Sequence, residues 1–130
     1  MQRIPEKYHD LLADGTRAFA FLATSMADGS PQVTPVWFDM EGDCIRINTN
    51  EGRVKDHNMK ERPKVALVIL DPRDPYRYVQ VRGEVDGMTR EGADQHISRL
   101  SVKYTGQPWK HQPGQKRIIY LIKPVHVDAH

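Results

Sequence analysis

Only one cysteine, Cys44, occurs among the 130 residues, so no internal disulfide can form and the fold has to rest on a buried core. No apolar run approaches the roughly 20 residues of a membrane span, and the N-terminal segment lacks the basic-then-apolar pattern of a signal peptide. A soluble cytoplasmic protein with no membrane partner is therefore expected. An excess of one charge is missing too: 19 Lys and Arg against 17 Asp and Glu leave a formal +2, too little for a dedicated nucleic-acid binder. The 6 histidines are scattered and the lone cysteine adds no ligand spacing, so no metal site is expected. There is no G-x-S-x-G elbow to place a serine nucleophile, no internal repeat and no low-complexity segment. The length suits a single domain over residues 1–130.

What is present reads as a mainly β, α+β chain. Ile4, Tyr8, Leu11 and Leu12 share helical spacing behind Pro5, which predicts a short amphipathic helix ending at Gly15. Ala18 to Ser25, the turn Ala27-Asp28-Gly29 and Gln32 to Asp39 form a hairpin pattern, and Pro35, having no amide donor, places the second strand at an edge or bulge. Cys44 to Thr49 alternates as a half-buried third strand that would extend the hairpin into a meander. A charged helix is predicted from Glu51 to Arg62, ended by Pro63, before the wholly apolar Val65 to Leu70, which reads as a strand covered on both faces. Tyr76 to Met88 is predicted as the longest strand, with Gly83 at a bend. Thr89 is a candidate N-cap for a helix whose Ile97, Leu100 and Tyr104 share a face up to Gly106. A Pro- and Gly-bearing loop, Gln107 to Gln115, then precedes a last strand, Ile118 to Ile122, before Pro124. Six strands and two to three short helices, mostly in hairpin order, argue for a half-closed antiparallel barrel.

Chemistry concentrates where the third strand meets the next helix, in Asn48-Thr49-Asn50-Glu51-Gly52-Arg53-Val54-Lys55-Asp56-His57-Asn58. A helix start offers free backbone amides and a favourable dipole for an anion, and Arg53 and Lys55 add charge-assisted donors suited to a phosphate. The same residues also fit an ordinary solvated helix start rich in charge.

These motifs come in an order that resembles a known family. Asp28-Gly29-Ser30-Pro31-Gln32-Val33-Thr34-Pro35-Val36-Trp37, then Asn48-Thr49-Asn50, then Arg53-x-Lys55-x-x-Asn58, then Arg62-Pro63-Lys64-Val65-Ala66 look like the pyridoxamine 5′-phosphate oxidase-like superfamily. The resemblance is narrower to its branch that uses the deazaflavin coenzyme F420, and it runs from about Leu11 to Pro124. It implies a six-stranded split β-barrel of the FMN-binding type, working as a homodimer with cofactor sites in the clefts between subunits. By resemblance Arg53 and Lys55 hold the cofactor phosphate with support from Asn58 and from Asn48, Thr49 and Asn50. Gln32, Thr34, Pro35, Val36 and Trp37 lie along the ring, and Tyr76, Trp109, Lys116 and Arg117 come from the partner subunit. No residue is assigned a catalytic role. True pyridoxamine-phosphate oxidases end in an Arg- and Trp-containing substrate motif that Ile122 to His130 does not match, which directs the expectation away from pyridoxine metabolism. The implied activity is hydride transfer from coenzyme F420, or alternatively FMN, to an unsaturated small-molecule acceptor. A binding module that carries a flavin, deazaflavin or haem-like ligand without turnover is the competing expectation.

Overall fold

The computed structural model describes residues 1–130. Its strands are β1 (Ala20–Ser25), β2 (Pro31–Val36), β3 (Asp39–Glu41), β4 (Cys44–Asn50), β5 (Lys64–Leu70), β6 (Tyr78–Thr89) and β7 (Arg117–Ala129). They form one sheet in the order β2-β1-β5-β6-β7-β4-β3, every neighbouring pair antiparallel. The sheet thus has seven strands where the sequence pattern predicts six. The difference arises because the expected strand from Gln32 to Asp39 breaks at Trp37 and Phe38. There the Phe38 backbone is engaged by side chains: its N–H donates to the Tyr104 hydroxyl oxygen at 3.3 Å, and its carbonyl accepts from Lys103 Nζ at 3.0 Å.

That two-residue break also shapes the sheet. β2 and β3 are its opposite edges, yet the three steps from Val36 to Asp39 reach at most ~11 Å, whereas the edges of a flat seven-stranded sheet lie ~29 Å apart. The sheet must therefore roll up, and it stays open between β2 and β3, where chain and not a hydrogen-bonded ladder closes the gap. The meander expected from the third strand is absent for the same reason: β4 pairs with β3 and β7, never with β2.

The inner face of the roll holds the core, including Leu22, Phe38, Ile47, Leu67, Val81 and Tyr120, all at most 2% exposed. β5 alternates buried Val65, Leu67 and Ile69 with half-buried neighbours, so it is covered on one face and its apolar outer face remains partly open. Gly83 sits at a register shift opposite Pro124; a Cβ there would lie 2.8 Å from both Ile122 Cγ2 and the Lys123 carbonyl oxygen. The shift also explains why β7, at 13 residues, runs through Pro124 and exceeds the 12 of β6. A proline costs a strand little where the ladder is already irregular.

The N-terminal helix is a 3-10 helix, Glu6–Leu12, that buries Tyr8 and Leu11. Helix α1 (Val54–Glu61) links β4 to β5, and α2 (Ala93–Thr105) links β6 to β7. Thr89 ends β6 and accepts the Glu91 N–H at 3.1 Å; Gly92, not Thr89, caps α2. Gly106 ends α2 with φ +80°, a left-handed turn that glycine takes without strain. No helix is long and apolar enough to cross a membrane.

Candidate functional site

The break after β2, the end of β4, the start of α1, one face of α2 and the start of β7 enclose a cleft of about 250 Å³. Nine of the residues singled out in the sequence line it: Pro35, Val36 and Trp37 at the end of β2 and the break after it, Asn48 and Thr49 on β4, Arg53 and Lys55 at the start of α1, Trp109 on the loop that follows α2, and Arg117 at the start of β7. Roomier grooves, about 490 Å³ against Lys64, Arg82, Glu84 and His126 and about 620 Å³ beside Asp14, Arg17, Asp39 and Lys103, mix charges of both signs. The smaller cleft gathers cations alone.

Those cations are unpaired: none of Arg53, Lys55 and Arg117 takes part in a salt bridge. Burial, then the positive charges of Arg53 and Arg117, hold Lys55 below the usual lysine range. Burial and then Arg53 likewise lower Arg117, with Asp94 opposing. Helix α1 begins at Val54 with no side-chain cap, so its first amides add to the positive potential. A cluster of like charges with no carboxylate paired to it is destabilised in isolation, and an anion relieves it.

The same cleft is lined by two indole rings, Trp37 and Trp109. Trp37 stacks on Tyr104 with ring centroids 5.3 Å apart and planes within 5°, and Trp109 meets Trp37 edge-on at 6.1 Å. The Arg117 guanidinium lies 5.3 Å from the Trp109 ring. Trp109 Nε1 is buried without an acceptor, as is the Thr34 hydroxyl; an unpaired buried donor beside a cleft suits a ligand acceptor. The cations, the flat aromatic wall and this donor together fit a phosphorylated planar cofactor.

The remaining sequence candidates lie elsewhere. Gln32 Oε1 accepts from Thr24 Oγ1 at 3.2 Å, and Asn50 Oδ1 accepts the Lys116 backbone N–H at 2.9 Å. Asn58 is 3% exposed; its Nδ2 donates to Thr24 Oγ1 at 3.0 Å and its Oδ1 accepts from Arg62 at 3.2 Å, which ties α1 to β1. Lys116 is exposed, and Tyr76 is 87% exposed on the β5–β6 loop, outside the cleft. Trp109 and Arg117, expected from a partner subunit, line the cleft in the same chain as Trp37, because β7 pairs with β4 and carries Arg117 opposite Asn50. The sequence pattern missed Phe19, Ile97 and Leu100, which also line the cleft. The shared face of Ile97, Leu100 and Tyr104 was legible as a buried stripe, but nothing local says that the stripe floors a site. No cluster of three His, Cys, Asp or Glu side chains could hold a metal ion.

Comparison with known proteins supports the same frame. The family model described as pyridoxamine 5′-phosphate oxidase matches residues 4–130. Among solved structures, one called an F420 reductase is similar at 32% identity with TM-score 0.84, covering 96% of this chain and 98% of that one. A conserved hypothetical protein of Mycobacterium tuberculosis is 21% identical with TM-score 0.75, covering 99% and 89%. HupZ of Group A Streptococcus is 19% identical with TM-score 0.70, covering 97% and 93%. The last two show a shared fold alone. No curated protein matches the sequence.

Proposed function

This chain belongs to the pyridoxamine 5′-phosphate oxidase family, and from that premise we propose that it is an oxidoreductase binding coenzyme F420 in the cleft between Trp37 and Arg53. The observation that carries this reading is that Arg53, Lys55 and Arg117, none in a salt bridge, line one cleft together with the indole rings of Trp37 and Trp109. Similarity to a protein called an F420 reductase favours the deazaflavin; FMN, also phosphorylated, is the alternative that the same cations would hold. When bound, such a cofactor supplies or accepts hydride.

The chain's own part is binding and placement. Arg53 and Lys55 neutralise the anionic group, with Arg117 beside them. Pro35, Val36 and Trp37 present the ring face, and the aromatic wall displaces water from it, which keeps the reacting partners desolvated and aligned. Trp109 offers its indole N–H as a donor. The substrate is an unsaturated small molecule of planar shape.

A homodimer is part of the proposal. Phe19 and Phe21 on or beside β1 and Val33 on β2 are 42%, 38% and 64% exposed. Phe21 pairs with Pro35 on one side and Val68 on the other, which makes an apolar outer strip that runs into the cleft at Phe19 and Pro35. A second copy covering this strip would bury it and bring its exposed residues to the cleft mouth. Reoxidation of reduced cofactor by added quinones or enones, followed with and without protein, tests the activity. Faster reoxidation with protein supports the oxidoreductase, and binding with no acceleration for any acceptor would make the chain a carrier.

A further inference from the structure

A chain of hydrogen bonds, part-buried except for the buried link between His96 and Asp39, runs from Arg117 in the cleft through Asn48 on β4 and His96 on α2 to Asp39 and Arg46, and the functions assigned above do not use it. Arg117 Nε donates to Asn48 Oδ1 at 2.8 Å. Asn48 Nδ2 donates to the Ala93 carbonyl at 2.8 Å and lies 3.2 Å from His96 Nδ1. His96 Nε2 lies 2.9 Å from Asp39 Oδ1, and Arg46 clamps Asp39 with two further bonds, Nε to Oδ1 at 2.9 Å and Nη2 to Oδ2 at 2.7 Å. His96 and Asp39 are only 3% and 6% exposed.

Chemistry fixes the direction of every bond in this chain. The Arg117 guanidinium can only donate, so the atom facing it must be the Asn48 oxygen; the Ala93 carbonyl can only accept, so the atom facing it must be the Asn48 amide nitrogen. The second amide hydrogen then points to His96 Nδ1, which must be the unprotonated ring nitrogen. The imidazole proton is left on Nε2, where the Asp39 carboxylate accepts it. An amide in the middle cannot pass protons along, so the chain transmits orientation and not charge. At its cleft end it satisfies Arg117 Nε alone, and the terminal nitrogens of Arg117 bond to no protein atom, which leaves them free for a ligand.

We propose that His96 is a positioning residue: held by Asp39, it orients the Asn48 amide and thereby fixes the Arg117 guanidinium in the cation cluster that receives the cofactor's anionic group. This inference rests on the cofactor reading above. A long, flexible arginine that is already held in place loses less freedom when it closes on a ligand, so the benefit appears as affinity. His96 touches neither the cleft nor its contents.

The test is a double-mutant cycle on cofactor binding, with coenzyme F420 and FMN as probes and pyrophosphate as a third that needs only the cation cluster. His96→Leu, if folded by circular dichroism, is expected to weaken binding about tenfold. His96→Gln, whose amide keeps one donor and one acceptor, is expected to restore most of that loss. In an Arg117→Ala background His96→Leu should have almost no further effect, because its influence runs through Arg117. A folded His96→Leu protein that binds like the parent, or a loss that persists undiminished without Arg117, overturns the proposal while leaving the cofactor site intact. A parent that takes pyrophosphate but neither cofactor overturns the cofactor reading, and the cycle on pyrophosphate still decides the role of His96. A parent that takes none of the three overturns both. Should His96→Leu fail to fold, nitrogen NMR of the parent imidazole decides: a proton on Nε2 is expected, and a proton on Nδ1 contradicts the chain.

Discussion

Replacing Lys55 with methionine should make the protein more stable and a poorer binder at once. Methionine keeps the length and most of the apolar stem of lysine but removes its charge. Burial and the neighbouring Arg53 and Arg117 already hold Lys55 below its usual range, so its charge works against the fold when no anion is present. At an effective permittivity of ~20, two like charges a Debye length of ~8 Å apart repel by roughly 2 kcal/mol. Lys55 is only half-buried and Arg53 is exposed, and solvent screening reduces the repulsion to roughly 0.5–1 kcal/mol in all. That corresponds to a rise of about 2–5 °C in Tm for a chain of this size. Thermal melts of parent and Lys55→Met at low and high salt check it. Salt should raise the parent's Tm more than the variant's, since ions screen the repulsion that the variant lacks. The same substitution should weaken cofactor binding about tenfold, the cost of one charge-assisted contact. A Lys55→Met protein that melts below the parent and binds as tightly would show that the cations brace the fold and serve no ligand.

Three further perturbations probe the frame around the site. Gly83→Ala should cost about 1–3 kcal/mol, because its Cβ meets a backbone carbonyl at 2.8 Å, whereas Gly87→Ala, whose nearest neighbour is Leu121 Cδ1 at 3.7 Å, should be tolerated; urea melts distinguish them. Burial pushes the Tyr104 hydroxyl up to about 12, helped by Asp39 and Asp14 and opposed by the Phe38 backbone. The folded state therefore keeps a proton that the unfolded chain releases near ~10, and stability should fall by roughly 1–3 kcal/mol as pH rises from ~10 to ~12. Tyr104→Phe should lessen the slope, the rest coming from Tyr120, which burial and its hydrogen bond to Asp56 also push up. At the acid end, burial would raise Asp39, but hydrogen bonds from Arg46 and His96 outweigh it and hold the carboxyl below its ordinary range. The folded state then binds fewer protons than the unfolded chain. The stabilisation is complete above ~4 and declines as pH falls below that, and Asp39→Asn should lessen the acid slope over that interval, other lowered carboxyls such as Asp56 supplying the remainder.

Much of this architecture was legible because it is written locally. The alternation of Ile45 and Ile47 marked β4, the apolar face of Ile97, Leu100 and Tyr104 marked α2, and Gly83 marked the irregularity in β6. Pro35 correctly placed β2 at an edge. What escaped depends on contacts distant in sequence. The strand break at Phe38 is made by Tyr104 and Lys103, which lie 66 and 65 residues further along the chain. β7 continues through Pro124 where the ladder is already irregular opposite Gly83 on β6. The cation pair Arg53 and Lys55 stood out by spacing, yet the third member, Arg117, joins them through the pairing of β4 with β7. Asn58, expected from the motif to support Arg53 and Lys55, has its amide engaged by Thr24 and Arg62, contacts that the local sequence does not show. His96 looked like one of several scattered histidines, and only its bonds to Asn48 and Asp39 distinguish it.

The measurement that tests the central claim most directly is a parallel titration of the parent and Arg53→Ala proteins with coenzyme F420 and with FMN, read by the fluorescence of Trp37 and Trp109, which both line the cleft. Saturable quenching by the deazaflavin, weaker binding of FMN and a loss of roughly ten- to a hundredfold in Arg53→Ala are expected. Quenching by neither cofactor, or an Arg53→Ala protein that binds like the parent, would contradict the account.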